Sequence, residues 1–437
     1  MTDARVILWG RDIGAVSWVE NQEIGVFQYA KDFTGSNIEA APLMMPLRDA
    51  PYQFPGLNKE TFKGLPGMLA DSLPDKFGNR LIDAWLASEG RLPGSMNPVE
   101  RLCYTGARGM GALEFKPVLN DAPSKSRKVE VNKLVELANR VLDERTNLNG
   151  KFTGVDDKAV IEDILRVGTS AGGARAKAIL AWNEKTGEFR SGQVSADEDF
   201  TYWLMKFDGV DGNSDKELAD PLGYGRIEYA YHLMAVEAGI AMERCRLHEE
   251  GGRAHFMTRR FDRGGPGEKL HMQTLGAMMH FDFNQAGAYS YEQALQTIRR
   301  LNMPMIAVEE QFRRTVFNVI ARNQDDHVKN IAFLMDQRGE WRLSPAYDVA
   351  YSYSSTGLWT NRHQMSINGK RDEFEYADLI ALSQIGGIKE PKAKSIIADV
   401  AKAIRNWSGH AVQADIAKSD VQRIEKAFRL YLVENKQ

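Results

Sequence analysis

At 437 residues, 43% hydrophobic and 26% charged, the chain is too long for one ordinary core and has the composition of a soluble globular protein of two or three lobes. A formal net charge of −3 supplies no pervasive basic field, which argues against nucleic-acid binding by the chain alone. Cys103 and Cys245 have no Cys or His partner at ligand spacing, the first residues reach Arg11 before any signal-peptide core, and no apolar stretch approaches a membrane span; the expected setting is cytoplasmic and reducing, without membrane contact, disulfide framework or zinc site.

Residues 5–30 alternate and break like short strands, with turn residues at Gly10 and Asp12. From residue 60 the period changes. Phe62, Leu65, Met68, Leu69, Leu73, Phe77, Leu81 and Trp85 recur at helical spacing, and Pro74 starts a new helix. The glycines between Gly106 and Gly111 form a turn needing positive φ, leading into a strand at 113–117. A polar linker at 121–128 marks the first boundary. A helix carrying Val131, Leu134, Val135 and Ala138 follows. Small residues then crowd 167–176, and a strand runs from Lys177 to a hairpin turn at 183–187. A further strand covers 202–207, and an amphipathic helix covers 226–238. Two strands joined at Gly251 and Gly252 end near Phe261, and a hinge occupies 262–267. Beyond it, helices are expected near 290–302, 308–323, 375–385, 391–406 and 411–434, interrupted by a hairpin at 331–343. The expected division is therefore 1–120, a β-rich N-terminal subdomain; 121–262, a strand-rich lobe; and 263–437, a mostly helical lobe.

The chemistry concentrates in 319–349. Asp325, Asp326 and His327 follow an apolar helix-forming run, Asn330 stands five residues after Asp325, and Asp348 stands alone after the hairpin. A carboxylate, an amide oxygen and a second carboxylate are hard oxygen ligands that suit Mg²⁺. The same spacing occurs in protein kinases, where the first Asp takes the hydroxyl proton and the Asn and later Asp hold metal. A solvated loop and a helix cap would use these residue types as well. Upstream, Gly172 and Gly173 would let backbone N–H groups approach phosphates, although the stretch is neither a Walker loop nor Gly-x-Gly-x-x-Gly; a small-residue turn is the alternative. Lys206, at the end of an apolar strand, could neutralise phosphate oxygens or simply snorkel. Glu228 could pair with it or sit solvated in a first helical turn. Phe261 could stack on a base or pack in a core. The remaining histidines show no ligand spacing. The order of glycine turn, strand lysine, helix glutamate, hinge, Asp-x4-Asn and later Asp is kinase order, and it discriminates better than any one match. Asp325 rather than Asp326 is the expected base, so Asp326→Asn should keep substantial activity.

The run from Asp325 to Asn330, with Trp341 to Asp348, resembles the motifs of the HipA family of serine/threonine kinase toxins of type II toxin–antitoxin modules. So do Thr258 to Arg263, the Glu228 helix, Lys206 and Ser170 to Lys177. Leu69 to Asp75 and Arg108 to Ala112 resemble that family's N-terminal subdomain, so the likeness covers nearly the whole chain. It implies an α+β, protein-kinase-like bilobed fold with an extra N-terminal β-rich subdomain and a mostly helical C-terminal lobe. It further implies ATP and Mg²⁺ as cofactors, Asp325 as catalytic base, and Asn330 and Asp348 as metal ligands. Gly172, Gly173, Ala174, Arg175, Lys177 and Lys206 would contact phosphates, with Arg259, Arg260 and Phe261 at the adenine. His327 and Lys329 would line the catalytic loop and, with Asn330 and Tyr347, would bind the nucleotide, and Ser170 would be autophosphorylated. Arg175, Arg259 and Asp326 depart from the best-known member's pattern. The implied partners are a HipB-like helix-turn-helix antitoxin, operator DNA reached through it, and a protein substrate of the aminoacyl-tRNA synthetase class. A catalytically silent antitoxin-binding corepressor and a small-molecule kinase remain the alternatives.

Overall fold

The computed structural model describes residues 2–119, 128–143, 175–192, 196–210, 222–264 and 268–434. They form two compact units: residues 1–222, 248–273 and 334–340 make the first, and residues 223–247, 274–333 and 341–437 the second. Each unit is thus assembled from separated stretches, and the helix expected at 226–238, in the middle segment, belongs to the second.

The first unit opens with β1 (Thr2–Leu8), β2 (Arg11–Val19) and β3 (Ile24–Tyr29), joined by β4 (Leu113–Lys116) in the antiparallel order β3-β2-β1-β4. Trp9 and Gly10 both take positive φ, 52° and 78°, the backbone of a tight hairpin turn whose twist matches its strands. The helical pattern of 60–90 resolves into two single turns and one helix, α1 (Lys76–Ser88). Asp75 caps it, accepting the Gly78 N–H at 2.6 Å. α2 (Pro98–Thr105) starts with a capping box between Asn97 and Glu100.

A second sheet has the order β6-β5-β7-β9-β8, built from β5 (Lys177–Trp182), β6 (Phe189–Ser191), β7 (Thr201–Lys206), β8 (Cys245–Glu250) and β9 (Arg253–Arg259). Every residue of β5 is buried, which explains its unbroken apolar run. Phe77, Leu81 and Ile82 of α1 and Val131, Leu134 and Val135 of α3 (Val131–Asp143) share one core with Leu180, Trp203, Met205 and Met257 of the sheet. The N-terminal helices therefore belong to the same core as the strands that carry Lys206.

The expected hinge begins as a fastening. Asp262 is fully buried between Arg260 (2.6 Å) and Arg263 (2.7 Å), and its Oδ2 also accepts the Gly111 N–H at 2.7 Å. Burial alone would raise this carboxyl, but the two guanidiniums outweigh it and hold it well below the usual range. Gly111 takes φ of 77°, and a Cβ there would meet the Met272 backbone nitrogen at 3.1 Å, so the glycine turn is required by close approach.

The second unit is helical: α4 (Tyr224–Glu237), α5 (Tyr291–Arg300), α6 (Met305–Ile320), α7 (Tyr376–Ile385), α8 (Glu390–Arg405), α9 (Trp407–Gln413) and α10 (Lys418–Ala427). Tyr231 of α4 meets Phe317 and Trp407 edge-on, with ring centroids 6.1 and 5.6 Å away, and its hydroxyl donates to the Ala321 carbonyl at 2.6 Å. The single helix expected over 411–434 is broken. Asp415 turns the chain at φ of 54°, and Phe428 is extended so that Arg429 points inward, fully buried. A third sheet, β10 (His271–Thr274), β11 (Ala332–Met335) and β12 (Trp341–Leu343), contains the expected hairpin. Among the described residues no helix is long and apolar enough to cross a membrane.

Candidate active site

α6 ends at Ala321, and Arg322 takes a left-handed φ of 57°, which starts the loop of residues 323–330. Asn330 folds back on this loop: its Nδ2 donates to the Asp325 carbonyl at 2.7 Å. The five-residue spacing read from the sequence is thus the span of one closed turn. With Nδ2 engaged, Oδ1 is the end of the amide left to accept or to bind metal.

The two adjacent carboxylates have opposite surroundings. Asp325 keeps 31% of its side chain exposed, and its Oδ1 accepts the Trp359 indole N–H at 2.8 Å. Asp326 is buried. Its Oδ2 accepts from the Tyr291 hydroxyl and from His363 Nδ1, each at 2.7 Å, and its Oδ1 accepts the Gln364 N–H at 2.7 Å. Burial pushes the Asp326 carboxyl up, but these partners reverse the sign and hold it low. His363 is lowered by burial, more than neighbouring Asp326 raises it. Its Nε2 faces Arg429 Nη1 at 2.8 Å, so the ring is neutral and its proton sits on Nδ1. Arg429 also donates to the Val319 carbonyl and pairs with Asp372. Asp326 is therefore bound into the fold, and Asp326→Asn carries a stability cost that spacing does not show: an amide there would set N–H against N–H or O–H.

The other residues expected on this loop lie around it. His327 Nδ1 accepts the Lys329 N–H at 3.2 Å, its Nε2 stands 3.8 Å from Asp325 Oδ1, and its ring lies against Phe283. Lys329 Nζ sits 4.7 Å from the Phe283 centroid, and the Lys329 carbonyl accepts the Tyr347 hydroxyl at 2.5 Å. Asp348 takes φ of 51°, a conformation rare for a residue with a side chain. Among the described residues no group of three His, Cys, Asp or Glu could hold a metal.

In the first unit, Lys206 ends β7, half-buried, with Nζ 5.8 Å from the Phe256 ring centroid. Lys177 stands directly opposite it on β5, but its Nζ pairs with Asp75 at 2.9 Å, both side chains being almost wholly buried. The expected nucleotide role of Lys177 is corrected: its ammonium neutralises the helix cap. Arg260 turns Nε and Nη2 of its guanidinium to Asp262, at 2.9 and 2.6 Å, so most of its side-chain hydrogen bonding is spent within the fold. Arg259 is exposed, and Phe261 and Arg175 are half-buried. Glu228 is only 2% exposed, which excludes the solvated alternative. Ser170, Gly172, Gly173 and Ala174 lie outside the described residues. Sequence reasoning missed Trp359, Phe283, His363 and Arg429. Only Trp359 carried a signal, as a large N–H-bearing ring in a loop otherwise rich in Ser, Thr and Gly.

Residues 169–408 match the family model described as the HipA-like C-terminal domain, and residues 4–116 that of the HipA N-terminal domain. No curated protein matches the chain. Among solved structures, the HipA, HipB and operator DNA complex of a toxin–antitoxin system of Shewanella oneidensis MR-1 is similar over 98% of this chain and 96% of that chain, with a TM-score of 0.68 and 18% identity. The proinflammatory kinase CtkA of Helicobacter pylori covers 53% of this chain and 89% of its own, with a TM-score of 0.34 and 12% identity. The fold is α+β, shared nearly end to end with that HipA structure.

Proposed function

The chain belongs to the HipA family, and from that premise we propose that it is an ATP- and Mg²⁺-dependent protein serine/threonine kinase, the toxin of a toxin–antitoxin module. The observation that carries the reading is the pairing of a partly exposed Asp325 with an Asn330 amide locked onto its carbonyl, beside a carboxylate fully committed to structure.

Asp325 accepts the proton of the substrate hydroxyl as its oxygen attacks the γ-phosphorus. Asn330 and Asp348 would hold Mg²⁺, which would supply neutralisation of phosphate charge. Lys206 contacts phosphate oxygens, and the 172–175 loop covers them. Arg259, Phe261 and the Arg260 backbone meet the adenine, while His327, Lys329 and Tyr347 line the loop. There is little covalent chemistry for the protein to do, so its contribution is positioning and electrostatics. The substrate is a translation factor of the aminoacyl-tRNA synthetase class, and Ser170 is the site of autophosphorylation. The partner is a small HipB-like helix-turn-helix antitoxin, and operator DNA is met through that partner, in keeping with the near-neutral charge. The three-part division at 120 and 262 is proposed as the family's domain plan.

Incubation of the purified chain with γ-labelled ATP and Mg²⁺ tests the reading. Label is expected on Ser170, and Asp325→Asn is expected to abolish it. Bound ATP with no transfer would favour the corepressor, and label on a metabolite alone would favour the small-molecule kinase.

A further inference from the structure

Three consecutive residues of the catalytic loop are tied to one short stretch, 359–364. Gln324 Nε2 donates to the Thr360 carbonyl at 3.2 Å, Asp325 Oδ1 accepts from Trp359, and Asp326 accepts from His363 and Gln364. The Gln364 side chain returns to the Trp359 carbonyl. Gln324 and Gln364 are both buried. The indole is therefore held on its backbone side by a buried network. Among the described residues its N–H is the one hydrogen bond made to the Asp325 carboxylate, because His327 Nε2 at 3.8 Å stands beyond hydrogen-bond length.

We propose that Trp359 is the positioning residue of the base: its indole N–H holds Asp325 Oδ1 and turns Oδ2 toward the substrate hydroxyl. The inference rests on the kinase reading. In the step it serves, the hydroxyl oxygen bonds to the γ-phosphorus, the bond to the β,γ-bridging oxygen breaks with its electrons leaving on ADP, and the proton passes to Oδ2. A carboxylate free to rotate about its χ2 axis presents either oxygen at a range of angles. A carboxylate with one oxygen fixed presents the other at one angle, which is the geometric requirement of proton transfer in a near-attack arrangement. The competing interpretation makes Trp359 a lid that occludes the base. It predicts the opposite sign on removal.

The test compares the full chain with Trp359→Phe and with a chain carrying benzothienylalanine at position 359, a sulfur isostere that keeps the ring shape and lacks the N–H. kcat, KM for ATP, the Kd of a fluorescent ATP analogue and the melting midpoint are measured for each. The expected result is a kcat lower by about tenfold to a hundredfold in both, the range of a lost hydrogen bond to a charged group, with Kd and KM for ATP unchanged. The isostere should also melt with the unaltered chain, so that a folding defect in Trp359→Phe leaves the question decidable. Unchanged kcat in the isostere overturns the inference, as does a raised kcat, which the lid requires. Equal loss in kcat and nucleotide affinity would also overturn it by marking a structural role. Absence of transfer in the unaltered chain would instead overturn the kinase reading and take this inference with it.

Discussion

Asp325 and Asp326 are separated by one peptide bond and by opposite physics. Asp326 gathers three donors in a buried setting, each already oriented by other contacts. An asparagine offers one acceptor oxygen where the carboxylate offered two, and its NH₂ would face a donor. Asp326→Asn should therefore lower stability by about 2–3 kcal/mol, the scale of hydrogen bonds lost from a buried charged group with a donor left unpaired. Activity lost in that variant should track the fraction folded. Asp325→Asn should melt within about 1 kcal/mol of the unaltered chain, as partly exposed sites do, and still transfer no phosphate. Thermal melts run beside the labelled-ATP assay separate the two. The reverse pattern, with Asp326→Asn stable and inactive, would move the base to Asp326. Spacing to Asn330 picked out Asp325 in the sequence. It did not show that Asp326 is buried, because Tyr291, His363 and Gln364 arrive from distant positions.

At the scale of elements, β5 and α1 explain why a lysine beside the glycine-rich stretch is not free for phosphate. Register sets Lys177 opposite Lys206, a like-charged cross-strand pair that is unfavourable by itself. The α1 cap Asp75 neutralises one member. Lys177→Met leaves a buried carboxylate and Asp75→Asn a buried ammonium, so each alone should cost about 3 kcal/mol or more. The double variant should recover most of that, since Asn caps a helix as well as Asp and no lone buried charge remains. Nucleotide affinity should survive in the double variant and fall in Lys206→Met. Loss of ATP binding in the double variant would restore Lys177 as a phosphate ligand. The strands and the α1 helix were legible from period and turn residues, since both depend on neighbours in sequence. The Asp75 pair was not, because it joins a helix cap to a strand about a hundred residues away. The break at Phe428 was hidden for the same reason: Arg429 is drawn inward by the Val319 carbonyl, His363 and Asp372, none of them local.

Across the whole molecule, buried neutral histidines set the response to acid. Burial lowers His255 and His271 in the first unit and His232 and His280 in the second from 6.5 to about 4, and lowers His363 as well. A folded-state pKa below the free value means that the unfolded chain takes up protons first. Stability is then complete only well above 6.5 and declines as pH falls through 6.5 toward about 4, because each proton bound only by the unfolded state favours unfolding. Asp326 and Asp262, both held low, add a further loss only below the ordinary carboxylate range. The histidines lie in both units, so neither should be spared. Urea unfolding followed at pH 7.5, 6.5, 5.5 and 4.5 should give a midpoint that starts to fall between the first two and falls more steeply across the last two. Hydrogen exchange should show protection lost in both β7 and α6 over that window. A midpoint that held steady down to pH 4.5 would mean that the histidines are hydrated in the folded state. His363 would then be free to take a proton, and the neutral tautomer that ties Asp326 to Arg429 would be lost with it.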